Sequence, residues 1–254
     1  MNTIEKTLEY HELIMTLDNL NDVHLYLLPN GYKFVYFKSD ADINDWINIH
    51  ISTGEFASKS KAKEYFHDFY DKFYKQLPKR CIFVVNEINE KIATATLSPA
   101  DEYGYKCVID WFAIRKDYQG KHLSKPILSE LVHLAKELGY NKILLHTQTH
   151  TWLAAKIYLD FGFEPMVFED KKGWQILKTL TNHQKLDNFK SLKPYELYDK
   201  LALNIKELLD KKFKNYTFSI WYKGNRNDVY VYDYDNNKEY QYKFYKNGKV
   251  IEQT

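Results

Sequence analysis

Between Cys107 and Thr149 the chain reads "CVIDWFAI", then "RKDYQGKH", then "LSKPILSELVHLAKELGY", then, after Asn141, "KILLHTQT". Two short apolar runs enclose one amphipathic helix. Leu123, Ile127, Leu128, Leu131, Leu134, Ala135 and Leu138 recur at three- and four-residue spacings, and Gly139 follows as a stop. Strand, helix and strand in that order form a crossover, which normally leaves the strands parallel and the connection right-handed. The turn that opens the helix, Gln119 to Ser124, aims backbone N–H groups and the positive end of the helix dipole at one point, where an anion is stabilised. It contains a single glycine, Gly120.

The flanking sequence extends this unit into a mixed α/β layer. "HELIMTLD" reads as an extended piece, and "LLPNGYKFVYFK" as a turn into a strand. "DINDWINIHISTGE" spaces Ile43, Trp46, Ile47 and Ile51 as a helix does. "SKSKAKEYFHDFYDKFYKQL" repeats Tyr65, Phe66, Phe69, Tyr70 and Phe73 on one face, and Pro78 is its expected stop. "CIFVVNEI", "KIATATLS" and "CVIDWFAI" read as an antiparallel meander, the first two joined around Asn89-Glu90. After the crossover, "TWLAAKIYLDFG" is a short helix ended by Gly162, and "EPMVF" and "WQILKTL" are candidate strands. The layer is complete near residue 180.

A chain of 254 residues has room for a second unit, and the polar, unpatterned "NHQKLDNFKSLKP" is the expected linker. The helix "PYELYDKLALNIKELLDKKF" gathers Leu197, Leu201, Ile205, Leu208 and Leu209 on one side. The strands "YTFSIWY", "DVYVYDY" and "EYQYKFY" alternate, with turns at Gly224-Asn225, Asn236-Asn237 and Asn247-Gly248. The expected division is 1–182 and 183–254, the latter a helix on a small antiparallel sheet. Ten of the 22 tyrosines follow residue 190, interleaved with lysines. That pattern suits a base-stacking surface, and equally a sheet with one aromatic face on its helix. A net charge of +2 disfavours nucleic acid as a general partner. A second copy of the chain stays among the candidate partners, with the tail as a contact.

Cys81 and Cys107 sit inside apolar runs and read as small buried hydrophobes, without a disulfide framework or a nucleophile's context. The amino terminus lacks a basic segment followed by an apolar one, and no run reaches the ~18 apolar residues a membrane span needs. No membrane partner is expected, and a cytoplasmic home follows. The nine histidines show no metal spacing; His146 and His150, four apart, fall on a strand and its exit.

From about Tyr32 to Leu180 the chain resembles the GCN5-related N-acetyltransferases. Three pieces carry the resemblance, in the family's order. "VIDWFAI" leads into "RKDYQGKHLSKPIL", similar to the pyrophosphate-binding segment Q/R-x-x-G-x-G/A; Gln119 fits its first position, while His122 and Ser124 stand where Gly, and Gly or Ala, are usual. "ILLHTQT" is similar to the strand that follows, and "AAKIYLDFGFEP" to the family's later segment.

The resemblance implies a mixed, mostly antiparallel sheet flanked by helices. It implies transfer of an acyl group, expected to be acetyl, from acyl-coenzyme A to an amine, without a metal. Backbone groups of Gln119, Gly120, Lys121, His122, Leu123 and Ser124 would then cradle the pyrophosphate. Phe112, Ala113 and Ile114 would pair with the pantetheine arm and polarise the thioester carbonyl. Tyr158 would protonate the departing thiolate. Asp110, on the same strand, is a candidate base or water-orienting group, and alternation puts it on the side of Phe112 and Ile114; Glu55 is its rival. A structural ion pair or helix-end role suits either acid equally. Thr149 is a candidate ligand of the pantetheine arm, with turn capping as its alternative. Trp46, Trp111 and Trp152 either line the acceptor pocket or belong to the core. The rival to an enzyme is a binding module of the same fold that uses its aromatic tail to recognise a protein or nucleic acid.

Overall fold

A computed structural model describes residues 4–167, 171–188, 200–223, 226–245 and 247–253. The chain divides into two compact units, Met1–Ser98 with Ile109–Ser191, and Pro99–Val108 with Leu192–Thr254.

The first unit is built on a seven-stranded mixed sheet. Its elements, in chain order, are β1 (Glu12–Leu17), β2 (Lys33–Tyr36), α1 (Ala41–Thr53), α2 (Lys59–Tyr70), β3 (Cys81–Val85) and β4 (Lys91–Ser98). After β5 (Ala100–Asp101), which leaves this sheet, come β6 (Val108–Ile114), α3 (Ser124–Glu137), β7 (Ile143–Gln148), α4 (Trp152–Phe161), β8 (Glu164–Met166) and α5 (Lys172–Thr181). The strand order is β2-β3-β4-β6-β7-β1-β8. β2, β3 and β4 pair antiparallel in succession, and β1 pairs antiparallel with both β7 and β8. β6 and β7 are neighbours joined by α3, which is the crossover expected from the helical spacing. Every residue of β3 is buried, as in a sheet covered on both faces.

Local chemistry sets most boundaries. Ser58 caps α2, its hydroxyl accepting from the Lys61 N–H at 3.2 Å. α2 ends at Tyr70, eight residues before the expected stop at Pro78, which lies instead inside a 3₁₀ turn, Tyr74–Lys79. Tyr70 and Phe73 are both buried three residues apart, and the tight bond from Phe73 N–H to the Tyr70 carbonyl turns both inward.

"WQILKTL" is helical and not a strand: it lies in α5, whose Trp174 and Leu177 are buried three apart. Periodicity over so short a run was ambiguous, and close packing decides it. Gly173 opens the helix against the N-terminal strand region, where an added Cβ would lie 2.6 Å from that of His11.

The second unit carries α6 (Lys200–Leu209), β9 (Tyr216–Lys223), β10 (Arg226–Asp233), β11 (Lys238–Tyr245) and β12 (Val250–Gln253). Its sheet runs β12-β11-β10-β9-β5. Ile205 and Leu209 of α6 pack with Ile220, Val229 and Val231, and Tyr216, Phe218 and Tyr240 close over that core. Leu208 is exposed, off the apolar side to which its spacing assigned it. Two features were not legible: β12, and the antiparallel pairing of β5 with β9, which draws Pro99–Val108 out of the sequence of the first unit. Asn237 and Gly248 take left-handed conformations at their turns. The Gly224-Asn225 turn, Leu197 and the second half of the expected linker, from residue 189 on, lie outside the described residues.

Candidate active site

A cleft of about 380 Å³ opens in the first unit, walled by α1, α2, β6, β7 and α4. Helical spacing selects its lining. His50 and Thr53 project from α1, Tyr65 and Phe69 from α2, Ala154 and Tyr158 from α4, each pair three or four residues apart and so on one face. β6 behaves differently, because five consecutive residues, Ile109 to Ala113, front the cleft. Strict alternation cannot do this. Trp111 has φ +52°, a left-handed conformation rare for a bulky residue, and it interrupts the pleat. Asp110 lines the cleft together with Phe112, as expected, while Ile114 lines a neighbouring groove instead. The rings around Trp111 hold it in place: Phe56 stacks on it at 5.5 Å, and Tyr65, His50 and Trp46 lie at 5.0, 5.3 and 5.4 Å.

All three sequence-predicted catalytic residues, Tyr158, Asp110 and Glu55, line this one cleft. Tyr158 is 4% exposed, and its ring lies 6.4 Å from that of Phe112. Its hydroxyl has no hydrogen-bond partner among the described residues. Burial raises its pKa far above the usual phenol value, and the Glu55 carboxylate adds to the rise. Glu55 follows Gly54, whose φ of +82° ends α1 and turns the chain into the cleft. Solvent reaches the Glu55 side chain, yet the surrounding protein strips enough water to raise its pKa. Asp110 is half-buried.

His50 is a cleft residue that sequence reasoning missed. It is 1% exposed, packs 4.1 Å from the Trp46 ring, and neither ring nitrogen has a hydrogen-bond partner. Desolvation lowers its pKa to about 3; the Trp111 backbone offsets this only in part, from beyond hydrogen-bond geometry. Only its place on α1, one turn before Glu55, pointed to it. Of the tryptophans, Trp111 lines the cleft and Trp46 is wholly core, while Trp152, half-buried at the start of α4, is not in the lining.

A second groove, about 630 Å³, runs beside the first. Successive residues of the same segments line the two: Ala113 then Ile114, Gln119 then Gly120, and on α4 Leu153 in the groove then Ala154 in the cleft. The groove holds Gly120, His122, Leu123 and Ser124 against Lys125 and Lys156. Gly120 and His122 have φ of +78° and +57° and Leu123 −83°, so left- and right-handed residues alternate, the pattern of an anion-binding nest. Among the described residues no acceptor faces the N–H groups of Lys121, His122, Leu123, Ser124 or Lys125, and no side chain caps α3. A pyrophosphate fits such a row of orphan donors. Gln119 pins the turn to the strand, its Nε2 donating to the Ile114 carbonyl at 3.1 Å.

Two predicted binding residues stand apart. Lys121 lines neither cavity; its ammonium rests 4.6 Å over the Tyr118 ring. Thr149 is fully buried, its hydroxyl donating to the Glu9 carbonyl at 2.5 Å and accepting from the His11 N–H at 3.0 Å. It therefore locks the N-terminal segment and faces neither cavity, so the expected ligand role is corrected. His146 and His150 bond to Glu12 and the Leu8 carbonyl. Among the described residues no three His, Cys, Asp or Glu side chains converge on a metal position, and no helix is long and apolar enough to cross a membrane.

The family model of the acetyltransferase (GNAT) family matches residues 44–163, a span that holds the cleft, the nest and α4. No protein of curated function matches the chain. Among solved structures, the chain is similar to a GCN5-related N-acetyltransferase from Sphaerobacter thermophilus. The two are 14% identical with a TM-score of 0.52, over 63% of this chain and 51% of that one. A GNAT-family acetyltransferase from Colwellia psychrerythraea aligns at 14% identity and a TM-score of 0.47, over 62% of this chain and 54% of that one. The chain thus spans about half the length of these solved structures. The first likeness supports the fold, and the family match is confined to residues 44–163, the segment around the cleft and the nest.

Proposed function

We propose that the chain is an acyl-CoA-dependent N-acyltransferase that moves acetyl directly from acetyl-CoA to a primary amine. The observation that carries this is the convergence of Tyr158, Asp110, Glu55 and the interrupted strand β6 on one cleft, next to a groove with a row of free N–H donors. The nest from Gly120 to Ser124 binds the pyrophosphate, with Lys125 and Lys156 beside it, and Phe112 to Ile114 receive the pantetheine arm. The donor supplies a thioester, whose carbonyl carbon the amine attacks.

The residues of the chain handle the protons. Glu55 or Asp110, directly or through water, takes one proton from the ammonium and frees its lone pair. The N–C bond then forms as the C–S bond breaks. Tyr158, kept protonated by its raised pKa, gives its hydroxyl proton to the departing sulfur. The second proton lost by the nitrogen replaces it, so one proton is released per turnover.

The test is thiol release from acetyl-CoA by the full chain over a panel of amines, with calorimetric titration of coenzyme A alongside. We expect micromolar binding that falls at least about tenfold in Gly120→Val. No atom lies within 4 Å of a Cβ there, so the loss comes from the backbone a branched residue refuses to adopt at φ +78°. Binding of coenzyme A without thiol release on any amine returns the chain to the binding-module reading.

A further inference from the structure

The cleft around Tyr158 is electrically one-sided. Asp110 and Glu55 are its charged side chains, and no lysine or arginine lines it. His50 is neutral because burial lowers its pKa to about 3, and His146, bonded to Glu12 at 3.0 Å, supplies at most one positive charge against the two acids. Two carboxylates between low-dielectric walls attract a cation and repel an anion.

Flat apolar rings line one wall of the cleft. Trp111, backed by Phe56 at an interplanar angle of 20°, stands with Tyr65 and Phe69 at 5.0 and 6.0 Å. Tyr65 is 47% exposed, so part of this aromatic wall is open to a ligand. Ring faces attract ammonium groups and pack against flat hydrocarbon. On the same wall the buried His50 leaves both ring nitrogens without a partner, a vacancy for a ligand's polar group. The volume is at the small end of ligand pockets.

We propose that the acceptor is a small organic cation: a primary ammonium on an aromatic or compact hydrocarbon body that has no carboxylate or phosphate. Asp110 and Glu55 draw the ammonium, and Tyr65, Phe69 and Trp111 receive the body. An α-amino acid of the same shape is excluded, since its carboxylate would enter beside two others. This specificity rests on the acyltransferase reading, although the cation site itself needs no catalysis.

The experiment uses acceptors matched except for charge, 2-phenylethylamine against phenylalanine and pentylamine against 6-aminohexanoate, with thiol release read on the full chain. Binding of 2-phenylethylammonium is measured separately by calorimetry without acetyl-CoA. Each amine should exceed its carboxylated partner about 100-fold in kcat/KM. Tyr65→Ala should lower kcat/KM for 2-phenylethylamine about tenfold, and Glu55→Gln, at an exposed position, should weaken the calorimetric binding. Turnover of carboxylated acceptors as well as or better than their partners overturns the inference and leaves the acyltransferase reading intact. Binding of 2-phenylethylammonium that weakens in Glu55→Gln, with no amine acetylated, supports the cation site and removes the acyltransferase reading. Absence of both binding and turnover of 2-phenylethylamine overturns the inference.

Discussion

Tyr158 and Glu55 share one cleft, and the carboxylate holds the phenol in its protonated form more firmly than burial alone would. A proton donor must keep its proton until the leaving group needs it, and a low-dielectric site next to an anion does that.

Tyr158→Phe should therefore lower kcat by about 10²-fold or more with thermal stability near that of the parent. The hydroxyl has no partner among the described residues, so its removal strands no other polar group. The pH response has a definite sign. A phenol whose pKa is raised on folding contributes stability below its ordinary value near 10, and that contribution is lost as pH climbs above it. The variant should consequently lose less stability than the parent in alkaline urea titrations. A variant with unchanged kcat would remove Tyr158 as the acid.

Glu55 and Asp110 are separable by a pH profile. Desolvation raises the Glu55 pKa above its ordinary 4.5, so a base limb from Glu55 lies on the neutral side of that value. Glu55→Gln should erase the limb and reduce kcat/KM at pH 7 about 100-fold. The fold favours the protonated carboxyl, a stabilisation present below 4.5 and lost as pH rises through the folded value. At pH 7 the variant should be as stable as the parent or more so, which separates lost chemistry from lost folding. Survival of the limb in Glu55→Gln and its disappearance in Asp110→Asn would assign the base to Asp110.

His50 supplies an acid-sensitivity test. Its pKa falls on folding from 6.5 to about 3, so the unfolded chain takes up a proton that the native chain refuses. Stability from this group is complete above 6.5 and is lost as pH falls toward 3, to a total on the order of 5 kcal/mol. The stability of the parent relative to His50→Gln, read from urea midpoints, should therefore fall as pH drops from 6.5 toward 3. Parallel curves would mean that the imidazole protonates in the native state.

How much of this was readable in advance depended on whether a feature is local. The α3 stripe from Leu123 to Leu134, the stop at Gly162 and the turn from Gln119 to Ser124 each declare themselves within a few residues, and each lies where the spacing put it. The Trp111 conformation does not, because nothing in "VIDWFAI" asks a tryptophan for positive φ. Rings from α1, α2 and the Phe56 loop impose it. His50 was invisible for a related reason, since a lone histidine on an apolar helix face looks the same whether or not a cleft opens beside it. The α5 error and the unforeseen β5–β9 pairing came from contacts across long stretches of chain, at Gly173 with His11 and Ala100 with Trp221.

The position of Thr149 after β7 suits a ligand or a turn cap, and the geometry makes it a lock. Its hydroxyl serves both Glu9 and His11, its own N–H donates to the His11 carbonyl at 3.0 Å, and the neighbouring His150 carbonyl accepts from Glu5 at 2.8 Å. Thr149→Val keeps the shape and strands two buried backbone groups, a cost of about 1–3 kcal/mol. Protease cleavage before Glu12 should accelerate accordingly, Thr149→Ser should restore the parent rate, and the affinity for coenzyme A should stay the same in all three proteins. Weaker coenzyme A binding in Thr149→Val with unchanged proteolysis would return this residue to the donor site, because a lock that does not loosen leaves ligand contact as the remaining use for its hydroxyl.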